Sequence, residues 1–285
     1  MIAFAKYHGL GNDYLVVDSA EVAPLLSPSW VRRVCNRHFG LGADGILVSF
    51  AAAVPSPIRV RIFNPDGSEA EKSGNGLRIF ARHLWDGGLV GSAPFEVLTA
   101  GGAVSCRVHP EGQAVTVDMG RVFFESTQIP VAGPPREVLR EPITVGGTHL
   151  EFSAATIGNP HCVVVREQVS ESEAKKLGPL LETEPRFPNR TNGQFLQVLD
   201  RNSIRIEIWE RGAGYTLASG SSSCAAAAVA RRLDLCDDSI TVHMPGGLLS
   251  VKIGHDFPVT MTGPVTKVAT GHLVDECWKA NEEEN

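Results

Sequence analysis

Two hydrophobic rhythms alternate along this chain. Ile2 to Ala5 opens an alternating stretch, the period of a half-buried strand, and a Gly11-Asn12 turn leads to the apolar run Tyr14 to Asp18. Ser29 to His38 then follows helical spacing, with Ser27 or Ser29 placed as N-cap. Ile58 to Phe63 reads as a strand, and Leu77 to Leu84 is apolar at helical spacing just after Ser73-Gly74-Asn75-Gly76. Gly102 to Met119 reads as strands closing on a His109-Pro-Glu-Gly112 turn. Ala51 to Ile58, with Pro55 and Pro57, is predicted to be a surface loop.

The same order then recurs. Leu150 to Ser153 leads to Gly158-Asn159 and the apolar run Cys162 to Val165. The two Gly-Asn pairs lie 147 positions apart. Arg61-Ile-Phe-Asn64 matches Glu207-Ile-Trp-Glu210, and Ser73-Gly74-Asn75-Gly76 matches Ser219-Gly220-Ser221-Ser222, both at offset 146. Gly101-Gly102-Ala-Val-Ser105 matches Gly246-Gly247-Leu-Leu-Ser250 at offset 145. Four blocks in one order and nearly one register indicate an internal duplication, at a period far too long for a solenoid. The predicted fold is α/β of the α+β type, with two pseudo-symmetric homologous domains. They are expected at 1–125 and 140–270, joined by a Pro- and Gly-rich linker at about 120–142, with a tail 271–285 packing back on the first half.

Composition narrows the function. A net charge of -6 lacks the basic field expected of a nucleic-acid binder. No apolar run reaches the roughly 18 residues that span a bilayer, and no secretion signal is visible. Six cysteines are scattered without a C-x-x-C pair, which predicts reduced thiols and a cytoplasmic protein. The acidic end Asn281 to Asn285 reads as a frayed tail. No His, Cys, Asp and Glu set has ligand spacing, so no metal is expected, and no phosphate-binding glycine motif is present.

Candidate chemistry sits at the two Ser-Gly blocks. Each precedes a strong helical run, Leu77 to Leu84 or Cys224 to Leu233. Either one alone reads as an ordinary N-cap beside a turn glycine. Their duplication points further. A helix start offers free N–H groups and the positive dipole end, an anion site. A pair of them can hold one carboxylate and put one side chain on either face of the adjacent carbon, as proton removal from one face and return to the other requires.

These residues carry a resemblance. His8-Gly-Leu-Gly-Asn-Asp13, Asn64-Pro-Asp-Gly-Ser68 with Gly74-Asn-Gly-Leu-Arg78, Gly158-Asn-Pro-His161 and Glu210-Arg-Gly-Ala-Gly214 together resemble the diaminopimelate epimerase family, from about Ile2 to Gly263. The resemblance implies a cofactor-independent isomerase that interconverts LL- and meso-diaminopimelate, works as a homodimer, and has its site in a cleft between the halves. It implies that Asn12 is a substrate contact in the first loop. It implies that Asn64, Asn192 and Arg211 hold the distal carboxylate and amine, with Asn159 on the same side. Gly74-Asn75 and Gly220-Ser221 match the amides that bind the reacting carboxylate, and His161 and Glu210 match the pair that tunes the acid and base.

The chain departs from the family at the two catalytic cysteines, whose places are held by Ser73 and Ser219. A thiol has a pKa of about 8.5, falling further at helix N-termini, whereas an alkoxide is scarcely populated near neutral pH. Cys224 and Cys162 read as core residues rather than substitutes. Three readings follow: a paired Cys→Ser variant that traps ligand; an isomerase of another amino acid in which His161 and Glu210 do the proton work; or a catalytically silent amino-acid binder. A further class is the phenazine-biosynthesis isomerases, which resemble this fold and use a Glu; Asn64, Asn192 and Glu210-Arg211 favour an amino-acid substrate with a charged distal end.

Overall fold

The computed structural model describes residues 1–50 and 57–278. Most of the predicted Ala51–Ile58 loop and the acidic tail lie outside the described residues. The chain forms two compact units, Met1–Val117 with the segment from Gly263 onward, and Asp118–Thr262.

In the first unit β1 (Ile2–Gly9) and β2 (Asn12–Asp18) are antiparallel, joined by a turn in which Leu10 (φ 60°) and Gly11 (φ 92°) are both left-handed. That pair suits a two-residue hairpin turn, and Leu10 takes the strain at the loop that presents Asn12. A single turn, α1 (Ser19–Val22), and α2 (Pro28–Cys35) cross over to β3 (Gly45–Ser49), which is parallel to β2. Ser27 is the N-cap of α2 and accepts the Trp30 N–H at 3.2 Å. The helix stops short of the predicted His38 because the Asn36 side chain takes the N–H groups of His38 and Phe39. β4 (Ile58–Phe63) is antiparallel to β3 and pairs with the short β5 (Glu69–Ala70). Helix α3 (Gly74–Asp86) crosses to β6 (Phe95–Thr99), parallel to β4, and β7 (Gly102–Val108) and β8 (Ala114–Arg121) close the series antiparallel.

The second unit repeats these pairings. After β9 (Glu141–Val145), β10 (Thr148–Thr156) is antiparallel to β11 (Pro160–Val165). Helix α4 (Glu171–Glu182) crosses to β12 (Asn192–Asp200), parallel to β11. β13 (Ser203–Glu210) is antiparallel to β12 and pairs with β14 (Gly214–Thr216). Helix α5 (Gly220–Arg232) crosses to β15 (Ser239–Met244), parallel to β13, before β16 (Gly247–Ile253) and β17 (Pro258–Pro264). Parallel neighbours need such crossovers, and each unit has two. Helix α4 stands where the repeated layout predicts a helix, after the Cys162–Val165 strand, and Ser170 capping the Glu173 N–H is its local signal.

Helix α5 is buried on nearly every face from Gly220 to Ala230 and touches β10 to β13, β15 and β16. Its alanines let the sheet curl closely around it, so a helix apolar all round is the expected solution. Two expectations change. The Gly120–Pro142 stretch is no bare linker: Ile129, Val131 and Val138 belong to the second unit's buried core. The last strand, β18 (Thr266–Leu273), pairs antiparallel with β1 and so joins the first unit rather than the second. All six cysteines are free thiols. Among the described residues no helix is long and apolar enough to cross a membrane.

Candidate active site

Both Ser-Gly blocks start helices as their spacing predicts. Ser73 caps α3, its Oγ accepting the Gly76 N–H at 3.0 Å; Ser219 caps α5, accepting the Ser222 N–H at 3.4 Å. The helix geometry leaves the N–H groups of Gly74 and Asn75, and of Gly220 and Ser221, without intrahelical acceptors. Ser73 Oγ also lies in hydrogen-bond contact with the Tyr14 hydroxyl at 3.3 Å. Gly45 makes room for that phenol: a Cβ there would sit 2.5 Å from the Tyr14 ring.

In the first unit a chain of bonds runs through the predicted residues. Asn75 Nδ2 donates to Asn12 Oδ1 at 3.0 Å, and the fully buried Arg78 donates to Asn75 Oδ1 at 2.8 Å. Asn12 Nδ2 donates in turn to Asp44 at 3.0 Å. Arg37 bonds Asp44 at 2.6 Å and Asp13 at 2.8 Å, and Lys6 reaches Asp13 at 2.8 Å. Burial alone would raise the Asp13 pKa, but Arg37, Lys6 and the Asp44 contact outweigh it and hold the carboxyl down at about 2. Asn64 stands outside this chain of bonds. Its amide donates to Ser68 Oγ at 2.9 Å within the Asn64–Ser68 turn.

In the second unit Asn159 Nδ2 reaches Ser221 Oγ at 3.5 Å, while its Oδ1 faces His161 Nε2 at 3.0 Å. Gln194 bonds the other ring nitrogen, Nδ1, at 3.1 Å. His161 is wholly buried; desolvation, abetted by the Arg211 charge and only partly opposed by the Gln194 contact, pushes its pKa down to about 3. With both nitrogens engaged and the ring wholly buried, it stays neutral near pH 7 and does not act as an acid in that range. Asn192 donates to the Pro160 carbonyl at 2.8 Å and accepts the Arg211 N–H at 2.9 Å, tying β12 to the loop after β13. Glu182 steadies the same loop by accepting Trp209 Nε1 at 2.7 Å and Gly212 N–H at 3.0 Å. The Arg211 guanidinium donates to the Asn189 carbonyl at 2.8 Å. Glu210 ends β13, half-buried, and its carbonyl accepts the Ala213 N–H.

Neither thiol weighed as a substitute is exposed. Cys224 is fully buried within α5, and burial pushes the Cys162 thiol well up. Among the described residues no group of three or more His, Cys, Asp or Glu is arranged to hold a metal ion. Sequence reading missed Tyr14, Lys6, Arg37, Asp44 and Gln194. Tyr14 was within reach, because it and His161 share the 147-residue offset of the Gly-Asn turns.

With this geometry in place, the fold defines a class. Solved chains with the same architecture include a probable proline racemase from Agrobacterium radiobacter (TM-score 0.70, 15% identity, 96% of this chain and 93% of that one). A hydroxyproline epimerase from Agrobacterium vitis gives TM-score 0.69 at 16% identity, over 95% and 90% of the two chains. A PhzF-family phenazine biosynthesis protein from Bacillus anthracis gives TM-score 0.69 at 14%, over 96% and 99%. The chain therefore has the two-domain fold of racemases, epimerases and related isomerases. Within that class it belongs to the diaminopimelate epimerase family, whose model matches residues 4–125 and 153–268. It is 54% identical to diaminopimelate epimerase 2 of Nostoc sp. over 275 residues, 96% of each chain. It is 42% identical to the diaminopimelate epimerase of Moorella thermoacetica over 94% of this chain and 98% of that one. As a member it is an isomerase of the amino-acid epimerase type.

Proposed function

We propose that this protein binds diaminopimelate and inverts its α-carbon slowly, because hydroxyls, Ser73 and Ser219, replace thiols at the acid and base positions. The carrying observation is the matched capping of α3 and α5: each serine sits at a helix start whose first N–H groups lack intrahelical partners. On this reading Gly74, Asn75, Gly220 and Ser221 bind the reacting carboxylate through those amides and the helix dipoles. Asn12 and Asn159 orient the substrate. Asn64, Asn192 and Arg211 hold its distal end, and Glu210 is the group left to assist proton transfer once His161 is neutral. The α-proton leaves to one flank and a proton returns from the other. Alkoxide is scarce near neutral pH, so proton abstraction limits turnover.

The family expectation extends this reading to a pyridoxal-independent, homodimeric, cytoplasmic enzyme, and light scattering of the purified protein tests the dimer. A second reading, a binder without turnover, is favoured by the serine pair together with the doubly bonded, buried His161.

The deciding experiment follows α-proton exchange of LL-, meso- and DD-diaminopimelate in heavy water, with calorimetric titration alongside. Binding with slow exchange is expected. Binding without exchange makes the protein a binder; no binding to any isomer removes the substrate assignment.

A further inference from the structure

The duplication lets each unit serve as the control for the other. β2 and β3 pair so that Tyr14 faces Gly45 and Val16 faces Leu47; β11 and β12 pair so that His161 faces Asn192 and Val163 faces Gln194. With the Gly-Asn turns aligned, Tyr14 matches His161, Leu47 matches Gln194, and Gly76 matches Ser222. In the first unit the matching side chain is apolar: a Cβ at Gly76 would lie 3.2 Å from Leu47 Cδ2, with Ser73 Oγ at the same distance. In the second unit it is polar. The fully buried Gln194 donates from one nitrogen, Nε2, to Ser222 Oγ and to His161 Nδ1, each at 3.1 Å.

Leucine meets the packing demand in the sister unit, so the fold does not require an amide there. A buried amide is moreover costly unless bonded, and Gln194 Oε1 is buried without a hydrogen-bond partner among the described residues. Turning the amide over would leave two buried N–H donors without acceptors instead of one oxygen, so the orientation shown is the better of the two. In that orientation Nδ1 of His161 accepts, and the single proton of a neutral ring sits on Nε2. It donates to Asn159 Oδ1, leaving the Asn159 NH₂ turned toward Ser221 at the start of α5.

We infer that Gln194 is a positioning residue: it holds His161 in the Nε2–H tautomer and thereby turns the amino end of the Asn159 amide toward the Ser219–Ser221 helix start, where an anionic ligand group would be received. The ligand half of this inference rests on the functional reading above; the tautomer half stands without it.

The test is ¹⁵N-histidine NMR of the full-length protein, with the His161 signals assigned by their loss in His161→Gln. The parent should show an unprotonated Nδ1 and a protonated Nε2, unchanged from about pH 8 to 5, a range in which an ordinary histidine titrates. Above the pH at which its carboxyl ionises, Gln194→Glu can only accept, so there it should place a proton on Nδ1, turn the Asn159 oxygen toward the ligand, and weaken diaminopimelate binding about tenfold or more. Gln194→Met, an apolar stand-in, should leave the fold intact and mix the two tautomers. A parent ring protonated on Nδ1 overturns the inference, even if Gln194→Glu does not fold. So does a Gln194→Glu protein with reversed tautomer and unchanged affinity. Should the parent show the Nε2–H ring yet bind no diaminopimelate isomer, the functional reading fails while the tautomer assignment holds.

Discussion

Asn12 and Asn159 occupy matching places in the two units, yet their amides are held in opposite ways. Asn12 is fixed by charge: Asp44 takes its amino group, Arg37 clamps Asp44 to Asp13, and Lys6 closes the set. Asn159 is fixed by neutral groups, the imidazole of His161 and behind it the Gln194 amide. A charged shell is held by pairing and fails when one partner is removed; a neutral shell is held by burial and by which nitrogen carries the proton. One duplicated frame thus supports two electrostatic designs.

The largest test acts on the flanks that the two shells support. Supplying thiols at both, Ser73→Cys with Ser219→Cys, should raise diaminopimelate epimerisation by about a hundredfold or more, since a thiol titrates near working pH. Chiral chromatography of the product reads this directly. Each single variant should promote exchange of one α-configuration only; equal exchange of both by a single variant would break the two-flank picture.

Next comes the charged shell. Lys6→Met leaves the Asp13–Asp44 pair with Arg37 alone and should lower unfolding free energy by about 2 kcal/mol, measured by urea denaturation. A loss below that of Gln194→Met would mean the charged shell is no more dependent on its partners than the neutral one.

Acid separates the shells further. His161 resists protonation when folded, so the unfolded chain takes up its proton first. Its contribution to stability erodes as pH falls from 6.5 toward about 3, at up to about 1.4 kcal/mol per pH unit. Asp13 gives stability that is whole above 3.8 and lost as pH falls toward about 2. The neutral shell should therefore weaken first. His161→Gln should flatten the stability profile between about pH 6 and 4, and an unchanged slope there would contradict the buried, neutral ring.

The smallest effect is expected at Cys224. Its replacement by alanine removes one buried sulfur and should cost about 1 kcal/mol of stability while leaving exchange rates within about twofold. A large loss of exchange would bring that thiol back into the chemistry.

Much of this was legible before any coordinates. The duplication is written in motif order, and the Ser73 and Ser219 caps are local signals, so they hold wherever the helices pack. The segment from Gly120 to Pro142 was misjudged because Pro and Gly report a lack of regular structure, which says nothing about burial; Val138 is fully buried all the same. The shells were invisible because their members come from separate strands and loops. Asp44 reaches Asn12 across 32 residues, and Gln194 reaches His161 across 33, through parallel strand pairings that no local pattern encodes.

The sequence by itself determined that there are two related halves, that each carries a serine-capped helix start beside glycine, and that the side chains at those starts are hydroxyls. Periodicity, caps and residue chemistry are properties of neighbours in the chain. Only the tertiary structure decided that His161 is neutral and doubly held, that Asp13 is a shielded anion, that Asn64 is bound within its own turn, and that the last strand returns to the first. Those outcomes depend on which distant groups meet and how much water burial removes, and both are set when the strands pair.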